Sequence, residues 1–329
     1  MPKNKNVLVT GGAGYIGSHT CKILKSNNFN PVSYDNLSSG KKKFVKWGPL
    51  VIGELGDKNK IIKTIKKYKI EAIIHLAAKS IVEDSELNKN SYFINNLHGT
   101  ITLLEAMREC KIKKIIFSST AAVYGESTTF KIKESHKLSP INIYGLTKLM
   151  CENFIKTMKQ IDHLDYIILR YFNASGSDYV SNIGELHDPE THLIPKLSIA
   201  FCLKTNFYIY GNNYKTQDGT CIRDFIHVLD IAEAHVISLK HILKNNIGET
   251  YNLGTGEGYS IKKIINIFEE ITKTKIKIKY AKERINDPRK LVADPKKFNL
   301  QFNWRARKSS LHKIIYSELA WRKKQLKIK

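Results

Sequence analysis

Several features that mark other classes of protein are scarce in this 329-residue sequence. It has only five cysteines, an odd number, and lacks any Cys-x-x-Cys pair of the kind that binds zinc or carries out redox chemistry. No apolar run reaches the ~18 residues that a membrane-spanning helix needs. The first six residues lead directly into a strand-like run, without the pattern of a signal peptide. We therefore expect a cytoplasmic protein that has no membrane contact and no metal site.

Acidic residues are also few, 30 against 54 basic ones, which gives a formal net charge of +24. Because a basic protein attracts phosphate, nucleic acid has to be considered as a partner. The lysines are spread along the chain, and no recognisable nucleic-acid-binding motif lies between them. This distribution is typical of a solvated surface, and we predict no nucleic-acid partner.

Short β-branched runs alternate with amphipathic stretches in the first half of the chain. Five runs indicate buried parallel strands: 7–10, 31–34, 72–75, 115–118 and 166–169. Helical patterns at 61–67 and 100–107 lie between them, and this alternation predicts an α/β fold with a Rossmann-type doubly wound parallel sheet. The rhythm becomes irregular after Asn173. We place the sheet domain at 1–174 and a smaller mixed α/β, substrate-binding region at 175–329, part of which returns to the sheet.

A glycine-rich segment from Gly11 to Gly17 follows the first strand directly and opens the first helix. Glycines there let the backbone approach a pyrophosphate, and the helix N-terminus attracts its negative charge. Asp35, just beyond the second strand, is placed to bind the adenosine ribose and to repel the extra phosphate of NADP. A plain tight turn would account for the glycines alone, but together with Asp35 they indicate NAD. The spacing Gly-x-x-Gly-x-x-Gly resembles the extended short-chain dehydrogenase/reductase superfamily.

Tyr144 and Lys148 lie one helical turn apart, so both side chains can project from the same face. The pKa of a tyrosine is ordinarily ~10, and one positive charge about 4 Å away stabilises the phenolate by roughly 4 kcal/mol, about three pKa units. We expect Lys148 and the nicotinium ring to provide such charges, so that Tyr144 accepts a hydroxyl proton near neutral pH. Thr120, at a strand end, would hydrogen-bond the reacting oxygen. An amphipathic surface helix and a threonine that caps backbone are the structural alternatives.

Further motifs extend the pattern along nearly the whole chain. They are Asp35-Asn36-Leu37, Ser118-Ser119-Thr120, the segments 169–173 and 218–228, Tyr210-Gly211-Asn212 and Asn252-Leu253-Gly254-Thr255-Gly256. With these, the chain resembles the UDP-glucose 4-epimerase (UDP-galactose 4-epimerase) family. The resemblance implies an isomerase that keeps NAD tightly bound and epimerises a UDP-hexose at C4 through a transient 4-keto sugar. It also implies a role in galactose metabolism and in the supply of sugars for surface glycans.

The same resemblance implies roles for particular residues. The catalytic set is Tyr144, Lys148 and Thr120. The NAD-binding set is Gly11, Gly14, Tyr15, Ile16, Gly17, Asp35, Asn36, Glu54, Leu55, Leu76, Ala77, Ala78, Asn95, Ser118, Tyr144, Lys148 and Phe172. The UDP-sugar-binding set is Thr120, Tyr144, Asn173, His192, Leu193, Tyr208, Tyr210, Arg223, Arg284, Asp287 and Leu291.

Three positions depart from the family pattern. Glu54 stands where an aspartate that contacts adenine is common, and Ser80 where many relatives have a lysine. Leu291 lies at a sugar-pocket position that is bulky in strict glucose/galactose enzymes and small where N-acetyl sugars enter. Leucine is intermediate, so substrate breadth stays open.

Competing functions differ in one or two side chains. Nucleotide-sugar 4,6-dehydratases need an acid and a base after the threonine, where this chain has Ala121 and Ala122. The nearest alternatives are 4-epimerases of UDP-N-acetylglucosamine or UDP-glucuronate. A more distant one is a non-catalytic NAD-binding sensor, which usually loses the tyrosine. Relatives commonly form homodimers through two helices, here near 92–110 and 143–158; Leu103, Leu104, Leu149 and Phe154 would be apolar contacts unless they face the core.

Overall fold

The computed structural model describes residues 5–127, 129–284 and 287–328. The strands are β1 Asn6–Thr10, β2 Asn30–Asp35, β3 Leu50–Ile52, β4 Ala72–His75, β5 Lys114–Thr120, β6 Asp165–Tyr171, β7 Asn173–Ser175, β8 Phe207–Tyr210, β9 Ile222–Arg223, β10 Phe225–His227, β11 Gly248–Leu253, β12 Tyr259–Ser260, β13 Ile278–Ala281 and β14 Lys290–Leu291. The helices are α1 Tyr15–Ser26, α2 Lys58–Tyr68, α3 Val82–Leu87, α4 Lys89–Tyr92, α5 Gly99–Glu109, α6 Ile143–Asp162, α7 Leu193–Leu203, α8 Val228–Ile242, α9 Ile261–Thr272, α10 Lys296–Phe302 and α11 Leu311–Leu326.

A seven-stranded sheet has the order β11-β6-β5-β4-β1-β2-β3. The pairs from β3 across to β6 are parallel, and each of the five predicted strands lies within this sheet. Strand order reverses between β1 and β4, which are neighbours although two strands separate them in sequence. The predicted Rossmann-type fold is confirmed, and ligands bind at such a reversal, beyond the carboxyl ends of the strands.

The sheet forms because its strands carry apolar side chains on both faces. β4 and β6 are buried at every position. Helices cover the sheet with apolar stripes: α2 begins after Asp57, whose side chain accepts a hydrogen bond from the Lys60 N–H, and buries Ile61 and Ile65.

The chain divides into two compact units. The first comprises residues up to Gly125, Leu138–Tyr171 and Ile231–Tyr251, and the second comprises Glu126–Lys137, Phe172–Asp230 and the chain from Asn252 onward. Strand β11, from late in the sequence, is the edge strand beside β6. The predicted domain boundary between residues 174 and 175 remains a prediction, as do the roles of the sheet domain and the substrate-binding region.

The second unit has its own core. β7 pairs with β10 and β8 with β13, both in parallel, while β9 lies between β12 and β14. Its apolar cluster joins α7, α9 and α11 through Leu197, Phe268 and Ile315, each almost fully buried. None of the helices in the described residues is long and apolar enough to cross a membrane.

Two of the four apolar residues expected at a subunit contact face the core instead. Leu103 is 0% and Leu104 2% exposed, and both belong to the main cluster of the first unit. Phe154 is partly buried against that same cluster. Of the two alternatives given for Leu103 and Leu104, the structure shows the core, because α5 turns this apolar stripe toward the sheet.

Candidate functional site

The glycine loop lies between β1 and the start of α1. The Gly11 N–H donates to the Tyr34 carbonyl (2.8 Å), and the Gly14 N–H donates to the Gly11 carbonyl (3.0 Å). Gly11 has φ +71°, and a Cβ on Gly17 would lie 2.0 Å from the Gly11 carbonyl oxygen. α1 begins at Tyr15 without a side-chain cap. The loop therefore leaves a glycine-lined helix N-terminus that suits an anion, and Tyr15 and Ile16 form its first turn.

Asp35 is held at the end of β2 by two backbone donors. Its Oδ2 accepts from the Ala13 N–H (3.0 Å) and its Oδ1 from the Leu37 N–H (2.8 Å). Burial raises the pKa of Asp35, and these two hydrogen bonds offset part of that rise. The carboxylate is thus fixed beside the glycine loop, as a ribose-binding group requires.

Asn36 and Glu54 meet, as expected of residues assigned to one cofactor. Asn36 Nδ2 donates to Glu54 Oε2 at 2.9 Å. The Tyr34 hydroxyl donates to the Glu54 carbonyl at 2.8 Å, so the segment after β3 is tied to β2. Leu55, the next residue, is buried against Gly99 at the start of α5.

The segment after β4 contains Leu76, Ala77 and Ala78. The Leu76 and Ala77 N–H groups donate to Thr10 Oγ1 at 3.2 and 3.4 Å, so this segment lies beside the end of β1. The packing is close, because a Cβ on Gly11 would lie 2.7 Å from the Ala77 nitrogen.

Asn96 has a positioning role that the sequence analysis missed. Its buried amide accepts from the Lys79 N–H (2.8 Å) and donates to the Lys79 carbonyl (3.0 Å) and to Thr147 Oγ1 (3.3 Å). It also accepts from the side chain of Asn95, a predicted NAD contact, at 2.9 Å. Asn96 thereby joins the segment after β4 to α6. Two adjacent asparagines inside an apolar helical pattern are the signal that could have revealed it.

The three predicted catalytic side chains come together where β5 ends and α6 begins. Thr120 ends β5 and hydrogen-bonds Tyr144. Lys148, one turn further along α6, is buried and donates from Nζ to the Ser118 carbonyl at 2.7 Å.

The start of α6 is fixed by two small features of the sequence. Asn142 accepts from the Gly145 N–H at 2.8 Å and so caps the helix. A Cβ on Gly145 would lie 2.5 Å from the Ala122 carbonyl oxygen, so glycine allows the helix to approach the end of β5 closely. Tyr144 is in this way held beside Thr120.

The electrostatics of this cluster differ from the expectation. Burial raises the pKa of Tyr144 to about 12, and the hydrogen bond from Thr120 offsets only part of that rise. Burial also lowers the pKa of Lys148 to about 8, although Cys151 and Glu152 act against it. Burial thus dominates the pKa of the phenol, and the Lys148 ammonium group donates its hydrogen bond to the Ser118 carbonyl. A bound nicotinium would add a positive charge that lowers the pKa of the phenol.

The predicted UDP-sugar residues other than Thr120 and Tyr144 lie in the second unit. Arg223 on β9 donates from Nη2 to Asp287 Oδ1 at 2.5 Å and from Nη1 to the Ile222 carbonyl at 2.9 Å. Leu291 on β14 is its parallel-register partner. The guanidinium carbon of Arg284 lies 4.4 Å from the centre of the Tyr210 ring, a cation–π contact. Two guanidinium groups are therefore oriented by fixed neighbours.

The remaining predicted residues of the second unit have the following positions. Asn173 donates from both its backbone N–H and its side-chain amide to the Asp224 carbonyl, each at 2.9 Å. His192 is the N-cap residue of α7 and Leu193 its first residue. Tyr208, on β8, is 47% exposed. Phe172, predicted to contact NAD, is also assigned to this unit and donates from its N–H to the Leu253 carbonyl at 3.0 Å.

Residues 7–254 match the model of the NAD dependent epimerase/dehydratase family. The chain belongs to this family. A UDP-glucose 4-epimerase of Rhizobium meliloti (strain 1021) is 43% identical over 303 residues, which covers 92% of each chain. Among solved structures, UDP-glucose 4-epimerase from Brucella ovis in complex with NAD is 41% identical with a TM-score of 0.92, over 96% of this chain and 97% of that one. The enzyme from Stenotrophomonas maltophila with bound NAD and formylated UDP-arabinopyranose is 32% identical with a TM-score of 0.94, over 98% and 99%.

Proposed function

We propose that this member of the epimerase/dehydratase family is an isomerase that interconverts UDP-glucose and UDP-galactose. The reaction is a reversible oxidation and reduction at C4 of the sugar, through a transient 4-keto sugar, with tightly bound NAD. The observation that carries the proposal is the meeting of Thr120, Tyr144 and Lys148 at the end of β5, in the same unit as the glycine loop. The identity to named UDP-glucose 4-epimerases over nearly the full length supports the substrate class.

The residues of the first unit fit NAD. The glycine loop is so close-packed that a Cβ on Gly17 would collide with it, and glycine keeps this space free of side chains. Helix α1 begins without a side-chain cap, and Asp35 is fixed at the end of β2. We assign the pyrophosphate to the loop and the adenosine ribose to Asp35. When bound there, NAD would supply the acceptor and donor of hydride for the oxidation and reduction at C4 of the sugar.

The chain's own groups manage the proton. Tyr144 removes the proton of the sugar 4-hydroxyl and returns it when the carbonyl is reduced, and Thr120 hydrogen-bonds the same oxygen. Lys148 adds positive charge beside the phenol, although its first partner is the Ser118 carbonyl. Ala121 and Ala122 follow Thr120 and cannot transfer protons, so the dehydration carried out by related enzymes has no acid or base here.

Epimerisation needs a firm grip on the nucleotide and a loose one on the sugar, since the keto sugar must present both faces. Arg223 and Arg284 bind the diphosphate, because guanidinium groups match phosphate oxygens. The uridine diphosphate is lined by Asn173, Leu193, Tyr208 and Tyr210. Asp287 contacts the ribose of the nucleotide and also accepts the hydrogen bond from Arg223. Leu291 limits the sugar pocket.

We also infer a cytoplasmic homodimer without nucleic-acid or membrane partners. All five cysteines are free, which suits a reducing compartment. The two helices proposed for the dimer contact are within α4–α5 and α6.

The first experiment is to purify the protein, quantify bound NAD, and incubate it separately with UDP-galactose, UDP-N-acetylgalactosamine and UDP-galacturonate. We expect near-stoichiometric NAD and conversion of UDP-galactose to UDP-glucose alone. Conversion of a second substrate as well would mean that Leu291 leaves room for its substituent. NAD without conversion of any substrate would instead indicate a non-catalytic NAD-binding sensor and would overturn the proposal.

A further inference from the structure

The segment before α7 contains two histidines and two glutamates at close spacing, Glu185-x-His187-x-x-Glu190-x-His192. One donor atom from each of these residues lies within 4.8 Å of the others. All four belong to the second unit. Of these residues only His192 is also predicted to contact the UDP-sugar, and that role does not explain why two imidazoles and two carboxylates converge; we call this group the His2Glu2 cluster.

The donor distances suit a small cation. Glu185 Oε1 lies 3.0 Å from His187 Nδ1 and 2.6 Å from His192 Nδ1, and Glu190 Oε1 lies 3.4 Å from His192 Nδ1. A tetrahedral zinc ion with bonds of about 2.0–2.2 Å keeps its ligand atoms about 3.3–3.6 Å apart. A zinc ion would therefore need movements of only about an ångström from these positions.

His192 Nδ1 gives the second observation. The atom is enclosed, although the side chain as a whole is 42% exposed, and it lies 2.6 Å from Glu185 Oε1 and 3.4 Å from Glu190 Oε1. Two carboxylate oxygens this close to one imidazole nitrogen have to share a cation, either a proton or a metal ion.

The surroundings hold the ligands in place from outside. The Glu185 carbonyl accepts from Trp321 Nε1 (3.1 Å) and Arg322 Nη2 (3.3 Å), and Glu190 Oε1 accepts from the backbone N–H groups of Thr191 and His192. Glu190 Oε2 lies 3.5 Å from Arg322 Nη2. Such outer contacts orient metal ligands in known sites. Glu185 and Glu190 are both nearly buried, so their charges need compensation, and Arg322, which also pairs with Glu318, provides only part of it.

A proton is the competing cation. Glu185 Oε1 and Glu190 Oε1 both lie close enough to His192 Nδ1 to favour a proton there. The same two carboxylates that hold this proton would attract a divalent ion in its place, and binding would release the proton.

From this geometry we propose that the His2Glu2 cluster is a structural metal site for Zn²⁺, bound by Glu185, His187, Glu190 and His192. Imidazole and carboxylate are zinc ligands, and four protein ligands characterise structural rather than catalytic zinc sites. The ion would fix the segment that leads into α7, where His192 and Leu193 lie. This reverses the expectation of no metal. The sequence contains the spacing of these four residues, but it has no cysteine pair, and the sequence analysis predicted no metal site.

The test is a zinc measurement on the full-length protein without a histidine tag. The zinc content is determined by mass spectrometry after expression in zinc-supplemented medium. The metal is then removed with a chelator, and the zinc affinity is measured by titration with ZnCl₂ against a chromophoric competitor. We expect one zinc per chain in the wild type. His187→Ala, which removes a ligand with no proposed role in substrate binding, should weaken zinc binding by at least about 100-fold, the upper end of what even outer-sphere changes cost. His312→Ala, on the exposed side of α11, is the matched control and should leave it unchanged.

Cobalt provides a readout that needs no variant. Co²⁺ added to the metal-free wild type should give the intense visible absorption of a four-coordinate site, and Zn²⁺ should abolish it. Absence of zinc from the purified protein together with no binding in the titration would show that the cluster holds only protons, and would overturn the proposal. Binding of equal strength in wild type and His187→Ala would overturn it as well, because the ion would lie elsewhere. Neither measurement depends on epimerase activity.

Discussion

Tyr144 is the side chain on which the proposed chemistry depends most. Tyr144→Phe removes the phenol proposed to take the 4-hydroxyl proton, and we expect kcat to fall by about 10²–10⁴, the range for loss of a general base. Bound NAD should stay near the wild-type level, because the groups assigned to its pyrophosphate and adenosine ribose, the glycine loop and Asp35, are unchanged. The measurement is the initial rate of UDP-glucose formation beside the NAD content of the same preparation.

Tyr316→Phe is the matched control for this change. Tyr316 is 59% exposed on α11, and its ring packs edge-on against Tyr179 with centroids 6.0 Å apart. Loss of its hydroxyl should leave kcat unchanged. If Tyr144→Phe retained wild-type turnover, the assignment of Tyr144 as the base would be wrong.

Gly17 tests the cofactor loop independently of catalysis. Alanine at this position would bring Cβ within 2.0 Å of the Gly11 carbonyl oxygen, which is backbone and cannot move without distorting the loop. We expect Gly17→Ala to be purified with little or no NAD. Gly56→Ala is the control, since nothing lies within 4 Å of its added Cβ. The NAD content of the two variants, measured after denaturation, should differ clearly; equal content would place the pyrophosphate elsewhere.

Helix α6 is joined to the sheet by a buried ion pair. Glu152 accepts from Arg170 Nε (2.9 Å) and Nη2 (2.6 Å), and from the Ser119 hydroxyl (2.5 Å). Arg170 Nη1 also donates to the Tyr124 hydroxyl at 2.8 Å. These contacts connect α6 with β5 and β6 one turn beyond Lys148, so they help set the position of the catalytic helix.

Glu152→Gln leaves the Arg170 guanidinium buried without its counter-charge. Loss of one partner of a buried pair typically destabilises a protein by about 3–5 kcal/mol. We expect a decrease of that size in the free energy of unfolding, measured by urea titration. Glu71→Gln breaks only the exposed pair with Lys5 and should cost no more than about 1 kcal/mol. A similar small cost for both variants would mean that Arg170 finds another partner.

The same pair predicts a dependence of stability on pH. Burial alone would raise the pKa of Glu152, but Arg170 and the Ser119 hydroxyl outweigh it and hold the pKa below its ordinary value. A carboxyl group of this kind stabilises the fold above its pKa in the unfolded chain, and the stabilisation is lost as pH falls through the folded pKa. Acid should therefore reduce the stability of the wild type more than that of Glu152→Gln.

The sequence predicted those elements whose signals are local. Strands β1, β2, β4, β5 and β6 and helices α2 and α5 follow from short apolar runs and their spacing, whereas the three-residue strand β3 was not predicted. The glycine loop follows from residues adjacent in the chain. Pairs such as Glu152–Arg170 are 18 residues apart and carry no local pattern. The place of β11 beside β6 depends on contacts across about 80 residues, and apolar periodicity cannot specify them.

Side-chain direction was the other limit. A Tyr-x-x-x-Lys spacing brings the two residues to one helix face, but whether the ammonium group points to the phenol or to a carbonyl depends on the neighbouring strand. Here the end of β5 offers the Ser118 carbonyl, and Lys148 binds it. Leu103 and Leu104 show the same limit, since an apolar stripe can face either the core or a partner.

The whole molecule combines a strongly basic surface with a few exposed apolar side chains. Within the segments proposed for the dimer contact, Ile94 is 65% and Met150 38% exposed. Two chains that each carry a net charge of +24 repel one another, so a stable dimer needs apolar contact to offset that repulsion. With Leu103 and Leu104 in the core, Ile94 and Met150 become the residues to test.

Ile94→Lys would place a charge within the proposed contact, and a charge buried without a partner costs several kcal/mol. We expect the wild type to sediment at twice the mass of the 37.7-kDa chain, and Ile94→Lys to sediment as a single chain at the same micromolar concentration. Leu300→Lys adds the same charge at a residue that is 82% exposed on α10, outside the proposed contact, and should remain dimeric. A wild type that sediments as one chain would refute the dimer. If the Ile94→Lys protein were still a dimer, the dimer contact would lie outside α4–α5, because burial of a lysine ammonium group there would weaken the association of the two chains.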